Sequence, residues 1–457
     1  MMDDPDLLVI GGGAGEISAA QTAARRGASV VLVQDGPVGG DCTFTGCVPS
    51  KALLAAAAAG AGFDDAMARV RHAVEVIARN EDDDAMARHG ITVRHGRATF
   101  KAPGVIDVDG ATIRTRRVIV ATGAGPAVPP IEGLDAIDIL TNETLFGLER
   151  RPVSMAVLGG GPIGVEMAQA FARLGTQVTV IEAEDRVLPR EDPEASGIVA
   201  RALEADGVHL RLGARLDKAE AAGAGARLHL STGVPVEAER VLVAIGRQPA
   251  SVGFGLDEVG VTLGRGGFIE TDDTMATNVR GIWAVGDVTD RLQFTHAAAR
   301  MGLIAAGNAL GRLARVKPQR FDTAAIPWVT FTDPEVGHVG MTEAEAAEHG
   351  GRVAVVPFEA FDRAIASGRT DGYLKLIAGP RRVLGNAGGG RLLGATAVGP
   401  CGGELVHEVA LGIRTGMFAG RLAQTVHAYP SWSMAVQMAA AQLFFDIDGR
   451  GHRPARR

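Results

Sequence analysis

Residues 7–16 of this chain read Leu-Leu-Val-Ile-Gly-Gly-Gly-Ala-Gly-Glu, so a glycine-rich turn directly follows a short apolar run. An alanine-rich segment, Gly27 and a second apolar run over residues 30–33 come next. This order predicts a strand, a helix and a second parallel strand, because glycine allows a tight turn and close packing of the helix on the strand. A single turn of this kind is weak support for a nucleotide site.

The same pattern occurs again in the middle of the chain. Residues 155–164 read Met-Ala-Val-Leu-Gly-Gly-Gly-Pro-Ile-Gly, followed by a helical segment, Gly175 and an apolar run over residues 178–181. Glycine lets the backbone approach a pyrophosphate, which then lies on free amides at the positive end of the helix. Two such copies, each reaching a second strand about 20 residues on, predict two dinucleotide-binding sites.

The second copy of the turn has all three glycines of the pattern, Gly159, Gly161 and Gly164. Glu182 ends the second strand, where a carboxylate accepts hydrogen bonds from a ribose 2′-OH. The same carboxylate would repel a 2′-phosphate. We therefore expect this site to favour NADH over NADPH.

The first copy departs from the pattern at two positions. Gly11 and Gly13 are present, but Glu16 stands at the third glycine position. At the end of the second strand, Gln34 replaces the expected acidic residue and Asp35 follows it. Gln34 still offers a hydrogen bond to a ribose, and Asp35 can share that task. Because Glu16 brings a side chain and a charge close to phosphate, we expect it to weaken dinucleotide binding.

Two of the three cysteines lie in residues 39–51, Gly-Gly-Asp-Cys-Thr-Phe-Thr-Gly-Cys-Val-Pro-Ser-Lys. From Cys42 to Cys47, regular helix would advance about 7.5 Å, more than the roughly 7 Å that a disulfide spans between Cα atoms. A disulfide here therefore requires a break in the helix, which Gly46 allows. The helix predicted over residues 51–59 would lower the pKa of a thiol near its start. We favour a redox-active pair, while two structural thiols or half of a metal site stay open.

Length, charge and cysteine content limit the class of protein. At 457 residues the chain has room for about three domains. Three cysteines in so long a chain argue against stabilising disulfides, so we expect Cys42 and Cys47 to act chemically in the reducing cytoplasm. The net charge of −7 argues against nucleic acid or an anionic membrane as the main partner. We expect no export signal and no membrane span, and a solvated, disordered end over residues 450–457.

Together, the two glycine-rich turns and the cysteine run resemble the flavoprotein pyridine nucleotide-disulfide oxidoreductases, a family that includes glutathione reductase, dihydrolipoyl dehydrogenase and mercuric ion reductase. Further short motifs, in the family's order, extend the resemblance over nearly the whole chain. They are Ala-Thr-Gly at 121–123, Ala-Ile-Gly-Arg-Gln-Pro at 244–249, Ile-Trp-Ala-Val-Gly-Asp at 282–287, Thr-His-Ala-Ala at 295–298 and Phe-Thr-Asp-Pro-Glu-Val-Gly at 331–337.

The resemblance implies an α/β fold with two Rossmann-like dinucleotide-binding domains and a C-terminal α+β dimerisation domain. The FAD-binding domain would be discontinuous, formed by residues 1–150 and 270–321, with an NAD(P)-binding domain over residues 151–269 between its parts. Residues 322–457 would form the dimerisation domain. The protein would be a homodimer, because in the family this domain of one subunit completes the disulfide site of the other.

Local patterns in the third segment agree with an α+β domain. Thr342 and Glu345 predict a capping box, and Gly350 predicts the end of the helix that it starts. The glycine-rich residues 385–394 predict a hairpin turn.

The resemblance also implies catalytic and cofactor-binding residues. Cys47 would lie next to the flavin, and Cys42 would be the exposed thiol that meets the acceptor. Lys51 matches the lysine near flavin N5, where a positive charge stabilises the reduced ring, and Glu166 matches its carboxylate partner. The residues expected to bind the two cofactors are Gly11, Gly13, Gly15, Gln34, Asp35, Gly40, Lys51, Thr122, Gly123, Asp287, Ala297, Gly159, Gly161, Gly164, Glu182, Gly246 and Arg247.

A segment near the C-terminus departs from the disulfide-reducing members of the family. Those members carry a His-Pro pair with a glutamate five residues after the histidine, which together move a proton to and from the thiols. Tyr429 and Met434 stand at these positions here. A tyrosine with a pKa near 10 is a poor base at neutral pH, and methionine cannot orient a base. His427 lies two residues away, and nothing obvious in the sequence orients it.

These observations predict an NADH-dependent FAD oxidoreductase that uses the Cys42–Cys47 disulfide. The small-molecule electron acceptor would be a quinone, a metal ion or a small disulfide. Two alternatives remain: a dihydrolipoyl dehydrogenase-like disulfide reductase, and a non-catalytic nucleotide-binding homodimer in which Glu16 impairs the FAD site.

Overall fold

The computed structural model describes residues 4–314, 316–447 and 449–456. The chain divides into two compact units. The first contains the chain up to Pro129 together with Leu140–Arg150 and Ile245–Asp322, and the second contains Pro130–Ile139, Arg151–Ala244 and Thr323–Arg457.

The first unit is built on a five-stranded parallel sheet. Its central strand, Leu7–Ile10, is fully buried, as expected for a parallel strand covered on both faces. The carboxyl ends of all five strands therefore meet at one edge, where the first glycine-rich turn begins. In spatial order the strands are Ile282–Ala284, Val118–Val120, Leu7–Ile10, Val30–Gln34 and Ile91–His95.

The helix that follows the first turn, Ala14–Ala24, packs on the helix Thr295–Leu310. Gly302 makes this approach close, because a Cβ at that position would overlap the carbonyl oxygen of Gly15. The predicted strand–helix–strand order is confirmed, and the second strand runs over Val30–Gln34.

The cysteine run forms two helices, Gly40–Phe44 and Cys47–Ala58. Thr45 (φ −137°, ψ 4°) and Gly46 (φ −122°, ψ −113°) leave helical geometry between them. The predicted break between the two thiols is therefore confirmed. A side chain at Gly46 would crowd the backbone of Asp41, since its Cβ would lie 2.9 Å from that carbonyl oxygen.

Apolar side chains from the sheets of the first unit form one core together with residues 254–261. Several smaller elements complete this unit. The helices are Phe63–Ala78, Asp83–Arg88 and Asn142–Leu145, with 3₁₀ turns at Arg265–Gly267 and Gly286–Val288. The antiparallel strands are Ala98–Ala102, Val105–Val108 and Ala111–Arg114 in one sheet, and Ala124–Pro126 with Arg247–Pro249 in another.

The second unit contains a parallel arrangement that repeats the first. The strand Ser154–Leu158, the second glycine-rich turn, the helix Pro162–Arg173 and the strand Gln177–Ile181 follow in the predicted order. The sheet has the order His209–Arg211, Gln177–Ile181, Ser154–Leu158, Arg240–Val243 and Ile139–Leu140. The helix Pro193–Ala205, the 3₁₀ turn Leu134–Ala136 and the antiparallel strands Leu216–Ala222, Gly225–Leu230 and Val236–Ala238 complete this part.

The remainder of the second unit is a six-stranded antiparallel sheet packed against helices. The capping box of Thr342 and Glu345 is confirmed, and its helix ends at Ala347, before Gly350. The strands in spatial order are Pro327–Thr330, Glu335–Gly340, Arg391–Gly399, Tyr373–Gly379, Arg352–Pro357 and Arg453–Pro454. The helices are Glu343–Ala347, Asp362–Ser367, Gly402–Leu405, His407–Arg414, Ala419–Gln424 and Met434–Ala441, with 3₁₀ turns at Phe358–Ala360 and Ala387–Gly389.

Two expectations differ from the structure in this region. The predicted hairpin is present between Tyr373–Gly379 and Arg391–Gly399, but residues 391–394 already belong to its second strand. The expectation of a disordered basic end was wrong for the described residues, because Arg453–Pro454 pairs with Arg352–Pro357 and Arg453 binds Glu343. The last residue of the chain lies outside the described part.

The domain boundaries predicted from the sequence differ from the boundaries of the two compact units. Residues 245–269, which the sequence-based division assigns to the NAD(P)-binding domain, cluster with the first unit. The functional division into three domains stays a prediction. Within the described ranges, no helix combines the length and the apolar character that crossing a bilayer requires.

Candidate active site

The two thiols of the cysteine run lie side by side. Cys42 belongs to the helix Gly40–Phe44, and Cys47 is the first residue of the helix Cys47–Ala58, where the helix dipole favours an anion. Both side chains are reduced thiols; Cys42 is half-buried and Cys47 is exposed. The Cys47 Sγ lies 3.3 Å from the Thr295 hydroxyl. A hydrogen bond with Cys47, together with burial, raises the pKa of the Cys42 thiol. The Cys42 thiol is therefore harder to ionise than an ordinary cysteine.

Arg247 links the helix Gly40–Phe44 to the 3₁₀ turn Gly286–Val288, which contains Asp287. Its guanidinium lies 2.5 Å from the Asp41 carboxylate and 3.1 Å from Asp287, and it donates a 2.7 Å hydrogen bond to the carbonyl of Ala124. Burial raises the pKa of Asp287, and the charge of Arg247 opposes that shift. Asp41 was not predicted from the sequence, because the partner that gives it a role is 206 residues away.

The backbone around the first glycine-rich turn closes tightly. The amide of Gly39 donates to the carbonyl of Gly12 at 2.7 Å. A Cβ at Gly40 would lie 2.7 Å from the Cα of Gly13, so only glycine fits beside the turn. Such a cradle of backbone atoms is the kind of surface that a pyrophosphate approaches.

The remaining residues expected to hold FAD lie at the same sheet edge or close to it. Asp287 follows the strand Ile282–Ala284, and Thr122 and Gly123 follow Val118–Val120. The Thr122 hydroxyl donates to the carbonyl of Ala250 at 2.5 Å. Ala297 is fully buried. With the cradle and Asp287, these residues fit a dinucleotide such as FAD, and Glu16, described below, is the exception.

Three other positions assigned to FAD have distinct surroundings. The Gln34 side chain lies over Gly12, and Asp35 is exposed. Gly15 packs against Val285 and Ala298. Their contribution to cofactor binding stays a prediction.

The second glycine-rich turn holds the Glu182 carboxylate in place. Its oxygens accept hydrogen bonds from the backbone amides of Gly160 at 2.6 Å and Glu184 at 2.8 Å. A Cβ at Gly164 would overlap the carbonyl oxygen of Gly159, which explains why the third position must be glycine here. Gly161 starts the helix without a side-chain cap, so the helix amides are open to a phosphate.

Lys51 and Glu166 were predicted to form a pair beside the flavin. Lys51 is half-buried and donates to the Ser50 hydroxyl at 3.3 Å. Glu166 is buried and accepts a 2.9 Å hydrogen bond from the backbone amide of Phe331. The two residues belong to different compact units, and their pairing stays a prediction.

Gly246 precedes Arg247 in the first unit. It has a φ of 151°, and its carbonyl accepts a hydrogen bond from the amide of Ala127 at 3.0 Å. Its assignment to cofactor binding also stays a prediction.

The segment at residues 425–434 contains a histidine that is held on both sides. His427 Nδ1 lies 2.9 Å from the carbonyl oxygen of Thr425, and Nε2 lies 3.1 Å from the Glu408 carboxylate. The expectation that nothing orients His427 was therefore wrong, because Glu408 does so from the helix His407–Arg414. Its side chain is only 4% exposed.

Tyr429, two residues further on, is turned toward solvent. It is 70% exposed, and its hydroxyl donates to Asp362 at 2.9 Å. That hydrogen bond raises the pKa of Tyr429. Tyr429 therefore keeps its proton and cannot act as a base at neutral pH.

Two family models cover most of the chain. Residues 5–302 match the pyridine nucleotide-disulphide oxidoreductases, and residues 326–440 match the dimerisation domain of the same proteins. The chain belongs to this family. It is therefore an enzyme, an FAD-dependent NAD(P)H oxidoreductase with a redox-active disulfide, and its dimerisation domain supports a homodimer.

Individual relatives extend over almost the full length. A mercuric reductase of Streptomyces lividans is 35% identical over 470 aligned residues, covering 97% of both chains. A dihydrolipoyl dehydrogenase of Chlamydia muridarum is 33% identical, covering 99% of both. The Cu(II) complex of the HOCl-induced flavoprotein disulfide reductase RclA from Escherichia coli has a TM-score of 0.88 at 29% identity, covering 96% of this chain and 99% of that one.

Proposed function

We propose that this enzyme passes electrons from NADH through FAD and the Cys42–Cys47 pair to a thiophilic metal ion, with Hg²⁺ as the first candidate and Cu²⁺ as the second. Soft thiolate ligands select soft metal ions. In the described part of the chain, no group of three or more His, Cys, Asp or Glu side chains could hold a metal. A pair of thiols suits a soft ion that is bound briefly as a substrate.

The observation that carries this proposal is the hydrogen bonding of His427 and Tyr429 in the C-terminal segment. Reduction of a disulfide substrate needs a proton for the leaving thiol, and a positioned acid–base group is typically worth about 10² to 10⁴ in rate. Both ring nitrogens of His427 are engaged, Nδ1 with the Thr425 carbonyl and Nε2 with the Glu408 carboxylate, so neither faces a substrate. Tyr429 is a protonated phenol that donates a hydrogen bond to Asp362. A metal ion requires no such proton.

The residues divide the work as follows. Glu182, held over the second glycine-rich turn, would accept hydrogen bonds from the ribose hydroxyls of NADH. Bound FAD would supply the two-electron redox chemistry between NADH and the thiol pair. Cys47, at a helix start, would provide the thiolate beside the flavin. Cys42, which is half-buried and not the exposed thiol that the resemblance implied, would be the second sulfur that binds the ion. Lys51 would stabilise negative charge near the ring.

The overall reaction balances without a further reductant. NADH and Hg²⁺ give NAD⁺, H⁺ and Hg⁰, with two electrons transferred. With Cu²⁺, one NADH reduces two ions to Cu⁺. The relatives support this proposal, since mercuric reductase of Streptomyces lividans is among them and RclA has been solved as a Cu(II) complex. Its place in the reducing cytoplasm is part of the proposal and rests on the cysteine content.

The test is NADH oxidation by the purified holoenzyme under anaerobic conditions. The acceptors are Hg²⁺, Cu²⁺, a water-soluble quinone, lipoamide and glutathione disulfide. The variants are Cys42→Ser and, as a matched control, Cys401→Ser, which removes the third thiol.

We expect kcat/KM for Hg²⁺ to exceed that for either disulfide by about 10² or more. Cys42→Ser should abolish metal reduction and spare any quinone reduction, and Cys401→Ser should change neither. A disulfide that matches the metal ions would overturn the proposal. So would metal reduction that survives Cys42→Ser.

A further inference from the structure

Glu16 is a buried carboxylic acid inside the first glycine-rich turn. It is the third residue of the helix Ala14–Ala24 and is only 6% exposed. Its carboxyl accepts hydrogen bonds from the backbone amides of Gly13 and of Glu16 itself, and one oxygen fills the space beneath Gly11. A glutamate at this helix position that reaches back to the N-cap amide is half of a capping box.

The second glycine-rich turn shows what the first would be without this side chain. Both turns begin at a glycine with positive φ, 117° at Gly11 and 106° at Gly159. Both helices start at an uncapped glycine, Gly13 and Gly161, in extended conformation. At the third position, Gly164 has no side chain, so the amides at that helix start remain open. In the first turn, Glu16 occupies them.

These amides are the donors that a dinucleotide pyrophosphate uses at a glycine-rich turn. An anion bound there must therefore take the Gly13 amide from Glu16. An ionised Glu16 would also repel the phosphates at close range, which costs binding free energy.

Among the described residues, the only charged group found to act on Glu16 is an acidic one. A Cβ at Gly11, directly after the strand Leu7–Ile10, would meet both the Glu16 carboxyl and the carbonyl oxygen of Ala121, so backbone surrounds this side of Glu16. From the 3₁₀ turn Gly286–Val288, Asp287 adds a second negative group, which is itself paired with Arg247. Burial raises the pKa of Glu16 to about 8, and Asp287 adds to this shift against the hydrogen bonds from the backbone.

We propose that Glu16 is a built-in competitor for the flavin pyrophosphate, which makes the retention of FAD by this enzyme dependent on the protonation of one side chain. The inference rests on FAD as the cofactor and is independent of the electron acceptor.

The direction of the pH effect follows from linkage. Bound pyrophosphate disfavours the ionised form of Glu16, so the complex binds the proton more tightly than the free turn does. FAD affinity is then constant below a pH of about 8, where Glu16 is protonated in both states. Above that pH, binding requires uptake of one proton, and the Kd rises by about tenfold per pH unit.

The experiment measures FAD release from the holoenzyme. Wild type, Glu16→Gln, Glu16→Gly and Glu75→Gln are incubated between pH 6.5 and 9.5, and free FAD is separated by ultrafiltration and quantified. Glu75 is an exposed carboxylate on the helix Phe63–Ala78 of the same unit, so Glu75→Gln is the matched control. Circular dichroism confirms that each variant is folded at each pH.

We expect the Kd of wild type and of Glu75→Gln to rise about tenfold per pH unit above pH 8. Glu16→Gln should show a flat profile over the same range. Glu16→Gly, which also frees the Gly13 amide, should bind FAD at least tenfold more tightly than wild type at pH 9.5. A pH profile shared by wild type and Glu16→Gln would overturn the inference. Its failure would be distinct from failure of the metal-ion proposal, because no acceptor is present.

Discussion

The carboxylate of Glu182 is fixed by a 2.6 Å hydrogen bond from the backbone amide of Gly160. A second amide, that of Glu184, binds the other oxygen. The negative charge therefore stays at the end of its strand, where the ribose of a bound nucleotide would lie.

This geometry predicts a preference for NADH over NADPH of about tenfold or more in kcat/KM, since a like-charge juxtaposition costs several kcal/mol. Glu182→Ala should reduce the ratio toward one. Glu184→Ala, which removes an exposed carboxylate two residues away, should leave it unchanged. Initial rates with both coenzymes measure the ratio, and equal kcat/KM values for wild type would refute the assignment of Glu182.

The thiol pair predicts a spectroscopic signature. Anaerobic NADH should give a two-electron-reduced enzyme with a long-wavelength absorption band from charge transfer between a thiolate and the flavin. Because the pKa of Cys42 is raised by its hydrogen bond with Cys47, the thiolate is expected at Cys47. Cys47→Ser should lose the band and Cys42→Ser should keep it. A band that persists in Cys47→Ser would reverse the roles of the two cysteines.

His427 is predicted to stabilise the fold and to take no part in turnover. His427→Ala leaves the Glu408 carboxylate and the Thr425 carbonyl without their partner, which should lower the free energy of unfolding by about 1–3 kcal/mol. Rates with metal ions should stay within about twofold, because the reaction has no step that needs this base. Denaturant unfolding and steady-state kinetics test both parts, and a loss of about 10² in kcat would point to acid–base catalysis instead.

Lys375 is a buried cation among three carboxylates. Its Nζ lies 2.9 Å from Asp192, 3.0 Å from Glu343 and 3.3 Å from Glu194, and its side chain is 3% exposed. Removing one partner of a buried ion pair costs about 3–5 kcal/mol. We expect that loss for Lys375→Met in denaturant unfolding. Lys218→Met, at an exposed ion pair with Glu132, should leave the free energy of unfolding nearly unchanged, because solvent screens that pair.

Glu343 should contribute to acid stability. Burial raises its pKa, but hydrogen bonds from Arg453 and Lys375 outweigh burial and lower it from 4.5 to about 2. Because the folded-state pKa is the lower one, the stabilisation is complete above pH 4.5 and is lost as the pH falls toward 2. Glu343→Gln should therefore flatten the dependence of stability on pH in this window. An unchanged slope in thermal unfolding between these pH values would contradict the cause assigned here.

Local patterns predicted the parts of the structure that depend on neighbouring residues. Both glycine-rich turns, the break at Gly46 and the capping box of Thr342 follow from steric and hydrogen-bonding rules within a few residues. The Glu16 departure was also visible, since a charged residue stood where the pattern has glycine.

Contacts between distant segments could not be predicted in the same way. Glu408 lies 19 residues before His427, and Asp192 lies 183 residues before Lys375. A single sequence does not say which segments meet. A signal was nevertheless present at Lys375, because a lysine between apolar residues in a buried strand requires a partner. The sequence showed the need for that partner, and the fold identified it.

The Lys375 cluster also bears on how the chain could be divided or recombined. Asp192 and Glu194 begin the helix Pro193–Ala205 or directly precede it, whereas Lys375, Glu343 and Arg453 belong to the antiparallel sheet and its surroundings. A fragment cut at residue 322 would keep the ammonium group and lose two of its carboxylates. A chimaera that exchanges the C-terminal domain with a relative would need matched residues at 192 and 194. The ion cluster therefore requires that the start of the helix Pro193–Ala205 and the antiparallel sheet be kept or exchanged together, although they belong to different sheets of the chain.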